Sequence, residues 1–286
     1  MGKDILSAKK MIKVRGELMD LSRPKIMGIL NVTPDSFYEG SRMTSEKIFL
    51  KRAEEMVNEG VDIIDVGGYS SRPGADHIEE AEEIKRVSGA IKSLRQNFNT
   101  YISIDTFRSN VAKTAIDCGA DIINDISGGQ LDNSMFDLVS EAKVPYIMMH
   151  MRGTPQTMRG LTVYDDLFAE MTKYFQERVK TLNDRGVEDV ILDVGFGFAK
   201  SVDQNYDILR NLDYFEVLSR PMLVGVSRKS MVFKTLETTA QEALNGTTVL
   251  NTIALLKGAS ILRVHDVKEA SEAIKLVHRT LNQGEN

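Results

Sequence analysis

Eight short apolar runs along the chain each end in, or are followed at once by, side chains able to do chemistry. In chain order these are Asn31, Asp65, Asp105, Asn124, His150 and Asp193, then Ser227, Arg228 and Lys229, then Arg263 and His265. Any one of them alone reads as readily as a satisfied core polar group or a helix N-cap. A set that recurs after every run is hard to ascribe to capping. Asp105, Asn124 and Asp193 are acceptors that could hydrogen-bond the amino and ring N–H groups of a flat heterocycle, and a buried carboxylate without such a partner would be costly. Set against them are Arg263 and His265, two apart and so on one face of a strand. With Arg72 these could clamp a phosphate or diphosphate. Asp266 is the better cap for the final helix and leaves His265 available. Lys229 reads as a charged hydrogen-bond donor more readily than as a Schiff-base nucleophile.

The elements that must position these groups follow from the runs themselves. They are KIMGIL (25–30), VDIIDV (61–66), YISID (101–105), DIINDI (121–126), VPYIMMH (144–150), DVILDV (189–194), PMLVGV (221–226) and SILRVH (260–265). Continuous and rich in β-branched residues, they predict strands covered on both faces. Helical periodicity fills the gaps: Ile48, Met56 and Val57; Leu167, Met171, Tyr174 and Leu182; Val267, Ala270, Ile274 and Val277. Gly60, Gly119 and Gly186 stand where left-handed helix ends are needed. Strands alternating with helices in this way predict an α/β fold, a (β/α)8 TIM barrel, with MIKVRGELMDL (11–21) as a short N-terminal hairpin closing its bottom. In such a barrel, polar residues at the C-terminal strand ends read as chemistry. Two βα loops, the one after Asn31 and GGYSSRPGAD (67–76), are long enough to be lids.

The totals agree. The chain of 286 residues is 42% hydrophobic and has no Pro-, Gly- or Ser-rich linker, which predicts one domain over 1–286. A net charge of -5 with dispersed basic residues argues against a nucleic-acid partner. The single cysteine, Cys118, reads as a structural thiol. With no signal-like segment and no apolar run of bilayer length, the expectation is a cytoplasmic protein with no membrane partner.

MGILNVTPDSF, GGYSSRPG, SIDT, IINDISGG, DVGFGFAK, LVGVSRKS and RVHDV, in that order between residues 27 and 267, resemble dihydropteroate synthase of the folate pathway. The resemblance implies a homodimeric barrel that joins 4-aminobenzoate to the hydroxymethyl carbon of a 7,8-dihydropterin and expels pyrophosphate with Mg2+. It implies a pterin set of Asp105, Asn124, Met148, Asp193 and Lys229. It implies a pyrophosphate end of Asn31, Ser71, Arg72, Arg263 and His265, with Asn31 also at the Mg2+, and an aminobenzoate pocket of Pro73, Phe198, Ser227 and Lys229, where sulfonamides compete in the family. Asn31, Asp105, Lys229, Arg263 and His265 are the expected catalytic group. The chain departs from the family pattern at Tyr69, usually acidic, at Ser71, commonly threonine, and at Val194 and Ala199, where proline and glycine are usual. A pterin-dependent methyltransferase, a non-catalytic pterin-binding paralogue and a Lys229 aldolase are the rival readings.

Overall fold

The computed structural model describes residues 9–32, 42–69 and 78–281. A hairpin, β1 (Met11–Val14) and β2 (Glu17–Asp20), precedes eight strands: β3 (Lys25–Asn31), β4 (Ile63–Gly67), β5 (Tyr101–Asp105), β6 (Ile122–Asp125), β7 (Tyr146–Met149), β8 (Val190–Asp193), β9 (Met222–Val224) and β10 (Ile261–Val264). These eight pair in parallel and close on themselves, β10 lying between β3 and β9. Each predicted run is therefore a barrel strand, most of them trimmed by one or two residues. Helices α1 (Arg42–Glu59), α2 (Glu80–Asn97), α3 (Ser109–Asp117), α4 (Met135–Ala142), α5 (Leu167–Asp184), α6 (Val202–Arg210), α7 (Ser230–Thr235), α8 (Leu244–Leu256) and α9 (Val267–Leu281) lie between and after them. None is long and apolar enough to cross a membrane among the described residues.

Gly60, Gly119 and Gly186 take φ of +95°, +112° and +78°, the left-handed conformations required of them. The buried face of α1 departs from expectation: Phe49, Ala53 and Met56 form it, and Ile48 is 66% exposed. Ile48 lies one position, about 100° of helix rotation, from Phe49. Phe49 takes the centre of the buried stripe, and Ile48 falls on the solvent side of it.

The hairpin turns through Arg15 and Gly16, both at positive φ, as a two-residue connection demands. It carries Ile12, Val14 and Met19, with Leu21 just after it, into a cluster with Met27, Ile63, Ile122, Ile147, Ile191, Leu223 and Ile261. Those seven sit near the N-terminal ends of their strands and fix which residues point inward. Two positions further along, on the same face, come Asp65, Asn124, Met149, Asp193, Gly225 and Arg263, with Asp105 two beyond Ser103. The barrel interior is thus apolar and plugged below, polar above. Because Ile12 is wholly buried in that plug, Ile12→Ala is expected to cost about 3 kcal/mol of stability, read from urea unfolding.

Candidate active site

Arg263, projecting from β10, crosses the barrel interior. Its Nε donates to Asp65 Oδ2 at 2.7 Å and one Nη to Asp105 Oδ2 at 2.6 Å. Asn124 donates from Nδ2 to the same Asp65 oxygen at 3.1 Å. The arginine that the sequence set opposite the acceptors therefore sits among them, as their counterion. Asp65 is fully buried, and its second oxygen, Oδ1, has no hydrogen-bond partner among the described residues. Burial pushes the Asp105 carboxyl up to about 7, with Arg263 opposing the shift and Asp65 adding to it. Since this pKa lies above its ordinary value, protonation of Asp105 favours the fold. That contribution is fully present below the ordinary carboxylate range and lost as pH rises through about 7.

Across the mouth, Asp193 ends β8 and accepts the Gly195 backbone N–H at 2.7 Å, which fixes the following turn. Burial raises its pKa, against the pull of Lys229. Lys229 enters from the N-terminus of α7 through the space that Gly225 leaves: a Cβ there would lie 3.7 Å from the Lys229 Nζ and 3.7 Å from the Arg263 Cβ. Its ammonium donates to the Phe196 carbonyl at 2.6 Å and stands 5.0 Å from the centre of the Phe198 ring. Burial lowers its pKa to about 8, with Asp193 opposing. His265 follows β10. Its ring Nδ1 lies 2.9 Å from Ser227 Oγ, and its backbone N–H donates to the same hydroxyl at 3.1 Å. The carboxylate of Asp266 does not cap α9 as its position suggested; it takes Nε and Nη2 of Arg228 at 2.9 and 2.8 Å, and Arg228 is thereby a structural strut.

One expected pterin contact is corrected. Met148 belongs to the cluster between barrel and helices, while Met149 packs with Ile126, Met151 and Ala199 at the mouth. Adjacent strand residues face opposite sides, so one step of register moves the thioether from one side of the sheet to the other. Asn31 ends β3 at the rim, exposed, and a Cβ on Gly67 would sit 3.1 Å from its Oδ1 and 3.8 Å from Asp105 Oδ2. Ser71, Arg72 and Pro73, and the lid reading of the segment after Val32, lie outside the described residues.

Three contributions went unassigned from sequence. Asp65 was visible as a strand-end acid, yet its role as partner of Arg263 is set by a contact 198 residues away. Asp125 accepts the Tyr146 hydroxyl at 2.7 Å and the N–H groups of Ser127 and Gly129 at 2.7 and 2.8 Å, which shapes the turn after β6. Lys200 is buried against His150, Nζ to Nδ1 at 3.0 Å. The sequence signal for it is a lysine that closes the apolar stretch Gly-Phe-Gly-Phe-Ala.

Removing the Arg263 charge leaves two buried carboxylates facing each other. Arg263→Met is expected to lose about 3 kcal/mol of stability, and adding Asp105→Asn is expected to restore part of it. Unchanged urea midpoints for the single variant would show that this charge does not hold the site together.

The comparisons place this geometry. A family model described as pterin binding enzyme matches residues 27–265. Dihydropteroate synthase of Escherichia coli (strain K12) is 42% identical over 274 residues, covering 95% of this chain and 97% of that protein. Among solved structures, Yersinia pestis dihydropteroate synthase with a sulfonamide drug shares 38% identity at a TM-score of 0.88, over 95% of this chain and 99% of that one. Xanthomonas albilineans dihydropteroate synthase with 4-aminobenzoic acid shares 32% identity at a TM-score of 0.88, over 96% and 99% of the two chains. With a plugged barrel whose acceptors and cations stand at the strand ends, the chain belongs to the dihydropteroate synthases of the pterin-binding enzyme family.

Proposed function

We propose that the barrel mouth joins 4-aminobenzoate to the methylene carbon of 6-hydroxymethyl-7,8-dihydropterin diphosphate, giving 7,8-dihydropteroate and pyrophosphate. The observation that carries this reading is the polarised interior, with buried Asp65, Asn124 and Asp193 and half-buried Asp105 as acceptors beside the cations of Arg263 and Lys229. A dihydropterin offers ring and amino N–H groups to such acceptors, and Asp105, Asn124 and Asp193 take them, while the Lys229 ammonium donates to an acceptor atom of the ring and Met149 lies against its face. Pyrophosphate leaves toward Asn31, Arg263 and His265, with Ser71 and Arg72 from the second loop. With Ser227 Oγ 2.9 Å from Nδ1 of His265, the tautomer protonated on Nε2 accepts from the hydroxyl and directs its N–H to a phosphate oxygen. Phe198, Lys229 and Ser227 line the aminobenzoate side, and Pro73, outside the described residues, is assigned to it by the resemblance alone.

An arylamine is a neutral nucleophile near pH 7 and needs no strong base. Departure of pyrophosphate is the harder event, and fixed positive charge at the mouth lowers its barrel-side barrier by electrostatic preorganisation. Ionisation at the methylene carbon precedes attack in this reading, because the electron-rich pterin held by Asp105 and Asp193 tolerates the developing cation. Among the described residues no cluster of three His, Cys, Asp or Glu side chains is placed to hold a metal. The rim carboxamide of Asn31 would serve as the single protein ligand of a Mg2+ held chiefly by diphosphate and water, a sharing common for this ion. When bound, Mg2+ supplies charge neutralisation on the leaving pyrophosphate. The extent of the match to synthases, 95% of this chain at 42% identity, favours this reading over the methyltransferase.

A homodimer is part of the proposal. Helix α8 is apolar on both sides: Leu250, Ala254 and Leu255 pack inward, while Val249, Ile253 and Leu256 are 51%, 37% and 54% exposed on one outer face. A helix apolar all round is a buried helix. A second copy is the occupant that resemblance supplies.

Two measurements test these readings. Pyrophosphate release from the dihydropterin diphosphate is expected to require 4-aminobenzoate. Its kcat/KM is expected to fall below pH about 7, as the Asp105 acceptor is protonated, and above pH about 8, as Lys229 loses its charge. Asp105→Asn is expected to lower the rate roughly a hundredfold and to remove the acid limb. Release without 4-aminobenzoate, or none at all, overturns the assignment. Separately, light scattering is expected to find a dimer for the unmodified chain and a monomer for Val249→Glu.

A further inference from the structure

The turn after β8 holds an unusual backbone for its residues. Gly195, Gly197 and Ala199 all have positive φ, and Ala199, at +48°, carries a Cβ that disfavours this conformation by roughly 1 kcal/mol. A non-glycine residue stays there only when its surroundings over-determine it. Here they do. The ammonium of Lys200, 8% exposed, is directed back under the turn that precedes it. It donates to the carbonyls of Gly195 at 3.1 Å and Phe198 at 3.0 Å, and meets Nδ1 of His150 at 3.0 Å. From above, the Tyr164 hydroxyl donates to the Ala199 carbonyl at 2.9 Å.

The His150 contact matches an ammonium on one side and a neutral imidazole on the other. An ammonium has three donors and no acceptor, and it meets the Gly195 and Phe198 carbonyls and Nδ1 of His150, with the His150 carbonyl a longer fourth acceptor at 3.4 Å. Burial, then the Lys200 charge, pushes the His150 imidazole down to about 2, which keeps the ring neutral, and the tautomer with its proton on Nε2 lets Nδ1 accept from Lys200. The imidazole is itself wedged edge-on against the Tyr174 ring, 4.8 Å between centres, so it cannot swing away. Lys200 thus plays the part of an internal cation around which a loop from β8 and a loop from β7 are folded. At the opposite side of the same turn, Lys229 holds the Phe196 carbonyl and faces the Phe198 ring.

We propose that Lys200 is a positioning residue for the arylamine substrate, acting through the Gly195–Ala199 turn to hold Phe198 against Lys229 while touching neither substrate. This rests on the reading of Phe198 and Lys229 as walls of the 4-aminobenzoate side. Most of the dihydropterin acceptors stand apart from the turn: Asp105 and Asn124 are on other strands, and Asp193, on β8, meets the turn through the Gly195 N–H alone.

The test compares full-length Lys200→Met and the unmodified chain, following dihydropteroate formation. If the unmodified chain makes no dihydropteroate, the functional reading fails first and independently. Given that activity, Lys200→Met is expected to raise KM for 4-aminobenzoate about tenfold or more, the loss of one charged hydrogen-bond set, while KM for the dihydropterin diphosphate moves less than about twofold. His150 supplies a second pair of variants that carries the same test if Lys200→Met does not fold. His150→Leu removes the acceptor and is expected to give the same split, and His150→Asn, which keeps an acceptor near Nδ1, is expected to restore most of the 4-aminobenzoate KM. Equal rises in both KM values, or a lowered melting temperature with neither KM changed, would make Lys200 a stability residue only and overturn the proposal.

Discussion

A charge buried in a barrel has to be answered inside the barrel, and that constraint organises this site. The hairpin and the apolar layer of Ile63, Ile122, Ile147, Ile191 and Ile261 seal the lower end, so water reaches the interior only from the C-terminal rim. Above that seal stand Asp65, Asp105 and Asp193, all buried enough that ionisation of the latter two is penalised. Arg263 relieves Asp65 and Asp105 at once by reaching across two and three strand positions of the closed sheet. A lysine would reach one of them; a guanidinium presents two edges in a fixed fork and reaches both. The cost of desolvating these groups is carried by the packing below. In exchange, the mouth keeps acceptors and donors in fixed places before any ligand arrives.

The arrangement is also directional. Going round the barrel, the acceptors come from β4, β5, β6 and β8, and the cations from β10 and the helix that follows β9. A planar molecule with N–H groups along one edge and a polyanion at the other end has one favourable way to enter such a field. Orientation is thus written into the strand order, before any loop contributes. Gly225 belongs to the same logic: with no side chain of its own on β9's inner face, it yields its volume to the Lys229 ammonium and the Arg263 stem.

The fold was legible because strands buried on both sides leave unbroken β-branched runs, and because Gly60, Gly119 and Gly186 mark where helices stop. The chemical types at the strand ends were legible for the same reason: alternation places every second residue of a strand inward, and the barrel puts its chemistry at one end. What alternation could not resolve was a run in which both faces are apolar. In Tyr146–Met149 all four residues are apolar and buried, so their pattern carries no phase, and Met148 and Met149 are indistinguishable without the partner strands. Ile48 and Phe49 pose the same ambiguity on a helix. The pairings of Arg263 with Asp65 and of Lys200 with His150 were out of reach for another reason. Each joins groups on separate strands or loops, 198 and 50 residues apart, and no local signal encodes such a contact.

The places where the chain leaves the family pattern show how the same backbone is kept with other residues. Val194, where proline is usual, is fully buried among the helix-facing core residues, so packing does what ring rigidity would do. Tyr69, in place of an acid, sets its ring edge-on to Phe107 at 5.3 Å and close to the Arg108 guanidinium, and its hydroxyl accepts from Gln156 at 2.9 Å. The negative charge that an acid would have brought to this corner is present nonetheless, one helix away, as Glu83, which accepts from Thr106 and Arg108 at 2.7 Å each. Arg108 therefore keeps a carboxylate partner and gains an aromatic face. Ala199 is the departure with an energetic consequence of its own, since it must hold a left-handed conformation that glycine would adopt without strain. Its neighbours absorb that strain through hydrogen bonds to the carbonyls of Gly195, Phe198 and Ala199, which is why the turn keeps its course without the glycine.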